Sequence, residues 1–380
     1  MNFVASSELA SRLISSNFLP DDSTEITVKS IKPFEKQGRS TAMYSLFLSY
    51  TSQGVRQQKE LALRVYNDWE RTARGIREFE VIKCLIEQNK PVPNAHYFGE
   101  SNAVLGEPMM IMEKINGERA SSCMNDEEGA QATVIKMAQT LANIHSANLK
   151  CFKNSVMLRR KFQAKINPLI EIRRFVNMYC AFLGFSPPTQ RRFITAVRHL
   201  GEMEPEKYCP VLLHGDFEPD HILVATGRFV VVDWGEACIG DPAYDVGWTY
   251  HKLTLERAYA KMNLGKLFVE KYEEFNPGRL VNLQFYKDIV AIEIAMTFGL
   301  SPFGEKRSKN WRNLAALIFG DLGIGQIVKV IFRRNMRRRM ASHHTSVWSD
   351  VSYIQNYALK YLERDTYTKQ KDPQAILSQC

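Results

Sequence analysis

No CxxC pair occurs in this sequence, and its seven cysteines, at 84, 123, 151, 180, 209, 238 and 380, are scattered and odd in number. That pattern excludes a spaced zinc site and predicts reduced thiols, as in a cytoplasm, rather than a disulfide framework. The opening stretch, Met1-Asn2-Phe3-Val4-Ala5-Ser6-Ser7-Glu8, lacks a basic start followed by an apolar run. No secretory signal is therefore expected, and the location expected is cytoplasmic. There is no internal repeat and no low-complexity linker. The longest apolar-rich stretch, Leu314 to Phe332, is broken by Asp321, Lys329 and three glycines, which argues against a membrane span.

What the chain does have is ordinary for a folded protein. Of 380 residues, 45% are hydrophobic and 24% charged, enough for two units, each with a core. Its formal charge of +9 favours anionic partners, a bias that a nucleotide triphosphate alone would satisfy.

Periodicity divides the chain. After a short N-terminal helix, three strand-like runs, Glu25 to Lys32, Thr41 to Tyr50 and Lys59 to Tyr66, predict an antiparallel meander. Helical spacing follows from about Trp69 to Gln88, and Pro91-Val92-Pro93 ends it. Two more strand-like runs follow, the second being Pro108 to Glu113. Beyond Asn116-Gly117 helical spacing dominates, over Gly129 to His145, Asn167 to Leu183 and Pro188 to His199. One hairpin interrupts it, with Ile222-Leu223-Val224 and Phe229-Val230-Val231-Val232 flanking a turn at Gly227. The expected fold class is α+β, with a β-rich lobe over 1–116 (five antiparallel strands and one helix), a mainly helical lobe over 117–365 and a polar tail over 366–380.

The chemistry concentrates between Val211 and Trp248. An apolar strand delivers His214-Gly215-Asp216, the hairpin follows, and then comes Asp233-Trp234-Gly235. Phosphoryl transfer needs one carboxylate to receive a hydroxyl proton and another to hold a divalent cation against phosphate oxygens, and this layout supplies both. A side chain five positions after Asp216, His221, stands where such loops place a second cation ligand.

These linked motifs, with Gly240-Asp241-Pro242-Ala243-Tyr244-Asp245 downstream, resemble the aminoglycoside phosphotransferase and choline kinase-like family over roughly residues 25 to 300. Asp and Gly are also favoured in plain turns, but two such motifs in this order and spacing are far more specific than either alone. The resemblance implies a protein-kinase-like, two-lobed fold with ATP between the lobes, Asp216 as the catalytic acceptor of the hydroxyl proton, and Asp233 as a ligand of Mg2+ or Mn2+. His214 and Gly215 would be architectural. Asp241 and Asp245 would brace the loop or cap the next helix.

Two positions depart from the family pattern. His221 stands where Asn is usual. Imidazole favours Mn2+ or Zn2+ over Mg2+, and a hydrogen bond within the loop is an equal reading of this residue. Arg64, in Leu61-Ala62-Leu63-Arg64-Val65-Tyr66, replaces the usual lysine and is expected to contact phosphate. A glutamate on the following helix should hold it. Glu78 shares a face with Val81, Ile82 and Leu85, whereas Glu80 shares its face with Lys83 and Glu87, so Glu78 is expected to be the partner. Arg39 and Ser40, in the turn between the first two strands, are candidate phosphate contacts, although a plain surface turn explains them nearly as well. Met112, Glu113 and Ile115 would present backbone groups to adenine.

Between Cys151 and Leu200 there are ten basic residues, at 153, 159, 160, 161, 165, 173, 174, 191, 192 and 198, and one acid, Glu171. A polycationic aminoglycoside would want carboxylates, so the expected acceptor is a neutral or anionic small-molecule hydroxyl. Solvated helix faces also carry such charge runs.

Arg333, Arg334, Arg337, Arg338 and Arg339 follow the apolar stretch near the end. A buried helix with a basic end is favoured there over peripheral membrane or RNA contact through 314–339. No nucleic-acid module accompanies the charge, so DNA is not an expected partner. The missing HRD and APE signatures argue against a protein kinase. The rival reading is a nucleotide-binding pseudokinase with an interaction or regulatory role, for which His221 and Arg64 speak.

Overall fold

Strand alternation builds the first half of the molecule. The computed structural model describes residues 19–20, 22–35, 41–66, 71–99, 107–152, 187–205, 210–256, 259 and 262–299, and at 71, 187–190, 192–193 and 295–299 it describes the backbone alone. These residues fall into two compact units, one drawn from 1–161 and 214–239, the other from 162–213 and 240–380.

In the first unit β1 (Thr24–Pro33), β2 (Thr41–Ser52) and β3 (Val55–Tyr66) form the meander, followed by helix α1 (Arg71–Glu87), β4 (Ala95–Gly99) and β5 (Met109–Glu113). All pairings are antiparallel and the sheet order is β1-β2-β3-β5-β4. Period-two alternation sorts the side chains of β3. Leu61, Leu63 and Val65 enter a cluster with Leu46, Leu48, Met109 and Ile111. Ala62, Arg64 and Tyr66 occupy the opposite face of the same strand, and all three are buried.

Helix α1 ends before Pro91. Asn89 takes a left-handed conformation (φ 54°) while Lys90 N–H bonds back to the Leu85 carbonyl at 2.9 Å, which satisfies a terminal helix acceptor. Asp126 caps α2 (Glu127–His145), its carboxylate accepting from Gly129 N–H at 2.7 Å. The two-residue strand β6 (Glu118–Arg119) pairs with β7 (Ile222–Ala225), itself in a hairpin with β8 (Arg228–Val231).

One expectation is corrected here. Cys84 and Cys151 form a disulfide that ties α1 to the 3-10 turn Leu149–Phe152. The pair is 67 residues apart, so it leaves no spacing signature in the sequence. Among the described residues, Cys123 and Cys238 take no part in a disulfide.

The second unit holds α3 (Pro187–Glu202), α4 (Ala243–Leu255), α5 (Leu264–Phe275) and α6 (Leu283–Gly299), with α4 packed on both α5 and α6. Its interior carries satisfied polar groups. Tyr244 donates to Glu293 Oε2 at 2.7 Å, and His251 Nε2 donates to the Lys287 carbonyl at 2.7 Å. Asp241 accepts from Ala243 N–H at 2.9 Å through one oxygen and from Asn282 Nδ2 at 2.7 Å through the other.

The α+β class expected from the sequence is the one observed. Among the described residues, no helix is long and apolar enough to cross a membrane. The N-terminal helix, the helix over 167–183, most of the basic stretch between 151 and 200, the 314–339 segment and the tail lie outside the described residues.

Candidate active site

Loop geometry starts at His214. This ring is fully buried, and its Nε2 donates to the Val232 carbonyl at 3.0 Å, because a carbonyl can only accept. Its Nδ1 is thereby left as an acceptor, and Asp216 N–H approaches it at 3.3 Å. One imidazole thus joins the start of the loop to the end of the hairpin. Trp234 packs edge-on against it, with ring centroids 4.7 Å apart.

Gly215 sits at φ 82°, and a Cβ built there would lie 2.4 Å from the Glu236 carbonyl oxygen. Only glycine satisfies both constraints. Asp233 is also left-handed, at φ 66°, without being glycine, a conformation worth noting in a residue placed at a candidate site.

Five of the residues expected at the site lie together in the first unit. Arg64 Nη1 is 2.9 Å from Glu78 Oε1, and its Nη2 is 2.6 Å from Asp233 Oδ1. Glu78 also accepts from the Tyr66 hydroxyl at 2.8 Å. His221 Nδ1 donates to the Asp216 carbonyl at 2.8 Å, and its Nε2 lies 3.7 Å from Asp233 Oδ2. Glu80 is exposed on the other side of α1.

The charges respond to this crowding. Burial opposes the charge on Arg64, but Asp233 and Glu78 beside it outweigh burial and keep it protonated. Burial pushes Glu78 up, with Arg64 pulling it back. For Asp233, burial acts upward, but Arg64 and His221 hold the carboxyl well below the usual carboxylate range. Burial alone would lower His221, yet Asp216, Glu218 and Asp233 surround it and raise it to about 9. Three carboxylates around one imidazole are a strong local field for a cation.

The donor chemistry fits a divalent cation. Carboxylates of Asp216 and Glu218 and a nitrogen of His221 lie within 4.8 Å of one another, and Asp233 Oδ2 approaches His221 from the DWG side. Hard oxygens with one imidazole suit Mn2+ or Zn2+, and Mg2+ less well.

The remaining candidates stand elsewhere. Met112 is buried in β5 opposite Ala62, and Glu113 ends that strand, its Oε2 accepting from both Asn94 N–H (3.1 Å) and Asn94 Nδ2 (2.9 Å). Ile115 follows in the connection to β6. Arg39 and Ser40 lie outside the described residues.

Sequence reasoning missed the arginines of α1. Arg77 is buried and donates to the Gly235 carbonyl through Nε at 3.2 Å and Nη2 at 2.5 Å. Arg74 Nη2 reaches Glu236 Oε1 at 2.6 Å. The signal was present, since Arg74 and Arg77 extend by helical offsets the same face that selected Glu78. Glu218, 3.7 Å from His221 Nε2, was also missed.

Comparison with known proteins adds to this geometry. Residues 47–279 match the family model described as "Phosphotransferase enzyme family". A mouse protein, acyl-CoA dehydrogenase family member 10, is 26% identical over 212 residues, 52% of this chain but only 19% of that protein. This chain thus spans about a fifth of that relative's length. A crystal structure from Ralstonia eutropha assigned to the aminoglycoside phosphotransferases shares 17% identity, with a TM-score of 0.54, over 87% of this chain and 92% of that one. The gentamicin complex of APH(2")-IIa shares 13% identity, with a TM-score of 0.53, over 90% and 98%. These structural likenesses establish a protein-kinase-like fold. The family model spans over half the chain and encloses both the His214-Gly215-Asp216 and Asp233-Trp234-Gly235 loops, so this protein belongs to the phosphotransferase enzyme family.

Proposed function

We propose that the chain transfers the γ-phosphoryl group of ATP to a hydroxyl of a small molecule that is neutral or anionic rather than a polycationic aminoglycoside. The observation that carries this reading is the convergence of Asp216, His221 and Asp233 beside the Arg64–Glu78 pair.

Asp216 receives the proton of the attacking hydroxyl. Its carboxylate is partly exposed, and both neighbours of the loop, His214 and His221, are tied by hydrogen bonds to backbone, so the carboxylate has a fixed base. A divalent cation, Mg2+ or Mn2+, when bound would neutralise charge on the phosphate oxygens, with Asp233 and His221 to hold it. Arg64 is held in place by Glu78 and directed at the same region, where a guanidinium suits phosphate oxygens. Catalysis on these terms is mainly positioning and charge neutralisation. The backbone of Met112, Glu113 and Ile115 is assigned to adenine. Arg39 and Ser40 are assigned to phosphate on sequence alone.

The acceptor class rests on the ten basic residues and single acid between Cys151 and Leu200. The lobes are assigned as 1–116 and 117–365, with a polar tail, and the location as cytoplasmic.

A second reading has one observation in its favour. Arg64 places a cation 2.6 Å from Asp233, the carboxylate assigned to the metal, as a nucleotide-binding pseudokinase would tolerate.

ADP release with Mg-ATP or Mn-ATP, screened against pooled sugars, sugar phosphates, nucleosides, amino alcohols and antibiotics, decides between them. Acceptor-dependent release that Asp216→Asn lowers about 10²- to 10⁴-fold is expected. Silence in every pool together with tight ATP binding selects the pseudokinase, and kanamycin-like acceptors outperforming all others overturns the acceptor class.

A further inference from the structure

Asp233 keeps a left-handed backbone, φ 66°, that its Cβ disfavours, so the chain on either side must hold it there. On the upstream side the hairpin does so. The Val232 carbonyl accepts from His214 Nε2 at 3.0 Å, and Val232 N–H donates to the His221 carbonyl at 2.9 Å.

On the downstream side the hold comes from α1. Arg77 reaches the Gly235 carbonyl with Nε at 3.2 Å and Nη2 at 2.5 Å, so two N–H groups on one edge of a planar guanidinium converge on a single oxygen. That edge fixes the direction of the peptide as well as its distance. Arg77 is 4% exposed, and both bonds go to a neutral carbonyl rather than to a carboxylate. Burying a cation for a neutral partner costs solvation that the bonds offset only in part, so stability alone is a weak reason for a guanidinium here.

The gripped peptide touches both loops. A Cβ built on Gly215 would collide with the carbonyl oxygen of Glu236, so the residue after Gly235 lies against the backbone beside Asp216. A Cβ on Gly235 would collide with the Arg74 guanidinium, so the α1 side is equally close. Glu78, next to Arg77 in the same helix, holds Arg64 at 2.9 Å. One helix therefore sets both the guanidinium assigned to phosphate and the loop assigned to the cation.

We infer that Arg77 is a positioning residue for phosphoryl transfer: through the Gly235 carbonyl it holds Asp233 in its left-handed conformation and keeps the Asp233 loop seated against the Asp216 loop. The inference rests on the phosphotransfer reading of these loops.

The test uses the full-length chain with Arg77→Met and Arg77→Lys, beside Leu48→Ala, a core truncation on the sheet face opposite Arg64. Hydrogen exchange of the nucleotide-free chain is followed by mass spectrometry over residues 232–237. Arg77→Met is expected to speed exchange there at least about tenfold, and Arg77→Lys less, while Leu48→Ala speeds it no more than in the rest of the unit. In ADP release, Arg77→Met should lower kcat about 10²-fold and leave the KM of the acceptor within about threefold, with partial recovery in Arg77→Lys. Exchange at the wild-type rate over 232–237 in a folded Arg77→Met, an unchanged kcat, or a kcat loss matched by Leu48→Ala overturns the role. Should Arg77→Met fail to fold, Arg77→Lys decides by the same two measures. Faster exchange over 232–237 in the variants, with no ADP release from the wild type in any acceptor pool, supports the hold of Arg77 on the loop while removing the transferase reading, so the two failures are distinguishable.

Discussion

Arg64 Nη2 rests 2.6 Å from Asp233 Oδ1 although the two residues are 169 positions apart, and the other arm of the same guanidinium meets Glu78 at 2.9 Å. A strand, a helix and the DWG loop are therefore joined at one buried cation. Glu78 is fully buried, so its charge depends on this partner.

Removing that partner should be costly. Arg64→Met leaves Glu78 buried without its cation and is expected to lower stability by about 3–5 kcal/mol in urea unfolding. Arg64→Lys keeps the charge but cannot span both carboxylates, so its loss should be smaller. Equal losses would show that the two-armed bridge, and not the charge alone, matters.

Two glycines separate backbone strain from crowding. Gly215→Ala forces a left-handed alanine, at about 1–2 kcal/mol, and drives a Cβ against the Glu236 carbonyl. Gly227 has φ 75° but open space around the missing Cβ, so Gly227→Ala should cost only the conformational part. The first variant is expected to lose turnover as well as stability, and the second to retain turnover. Thermal melts and ADP release check both.

The arginines of α1 should differ in weight. Arg77→Met breaks two bonds to the Gly235 carbonyl in a buried setting and is expected to cost about 1.5–3 kcal/mol. Arg74 pairs with Glu236, whose side chain is 44% exposed, so Arg74→Met should cost about 0–1 kcal/mol. Urea unfolding of both variants gives the comparison.

His251 should make stability depend on pH. Burial, helped by the Lys287 charge, lowers its pKa to about 3, against an opposing hydrogen bond to the Lys287 carbonyl. The unfolded ring, near its ordinary value of about 6.5, binds a proton that the folded ring refuses. Stability is thus fully present above that value and falls as the pH drops from it toward 3. Wild type should be on the order of 1 kcal/mol less stable at pH 5.5 than at pH 7.5 on this account, and His251→Gln should lack that increment in paired urea titrations.

Much was determined by the sequence itself. Period-two alternation marked β1, β2, β3 and β5, and helical spacing marked α1, α2 and α3, because one-sided burial writes its period into the chain. The same periodicity separated Glu78 from Glu80, and loop spacing singled out Asp216, His221 and Asp233. These are local signals, readable wherever backbone geometry decides which side chains share a face.

Other features exist only after folding. The Cys84–Cys151 bond, the grip of Arg64 on Asp233 and the bonds from Arg77 to Gly235 join positions 67, 169 and 158 residues apart. Such partners carry no periodic mark, since their meeting depends on how a helix, a strand and a loop are brought together. Glu218 is the instructive case: it lies three residues from His221, yet only the 3-10 turn brings the two side chains to one side. Local spacing named the loops, and tertiary structure determined which atoms in them face one another.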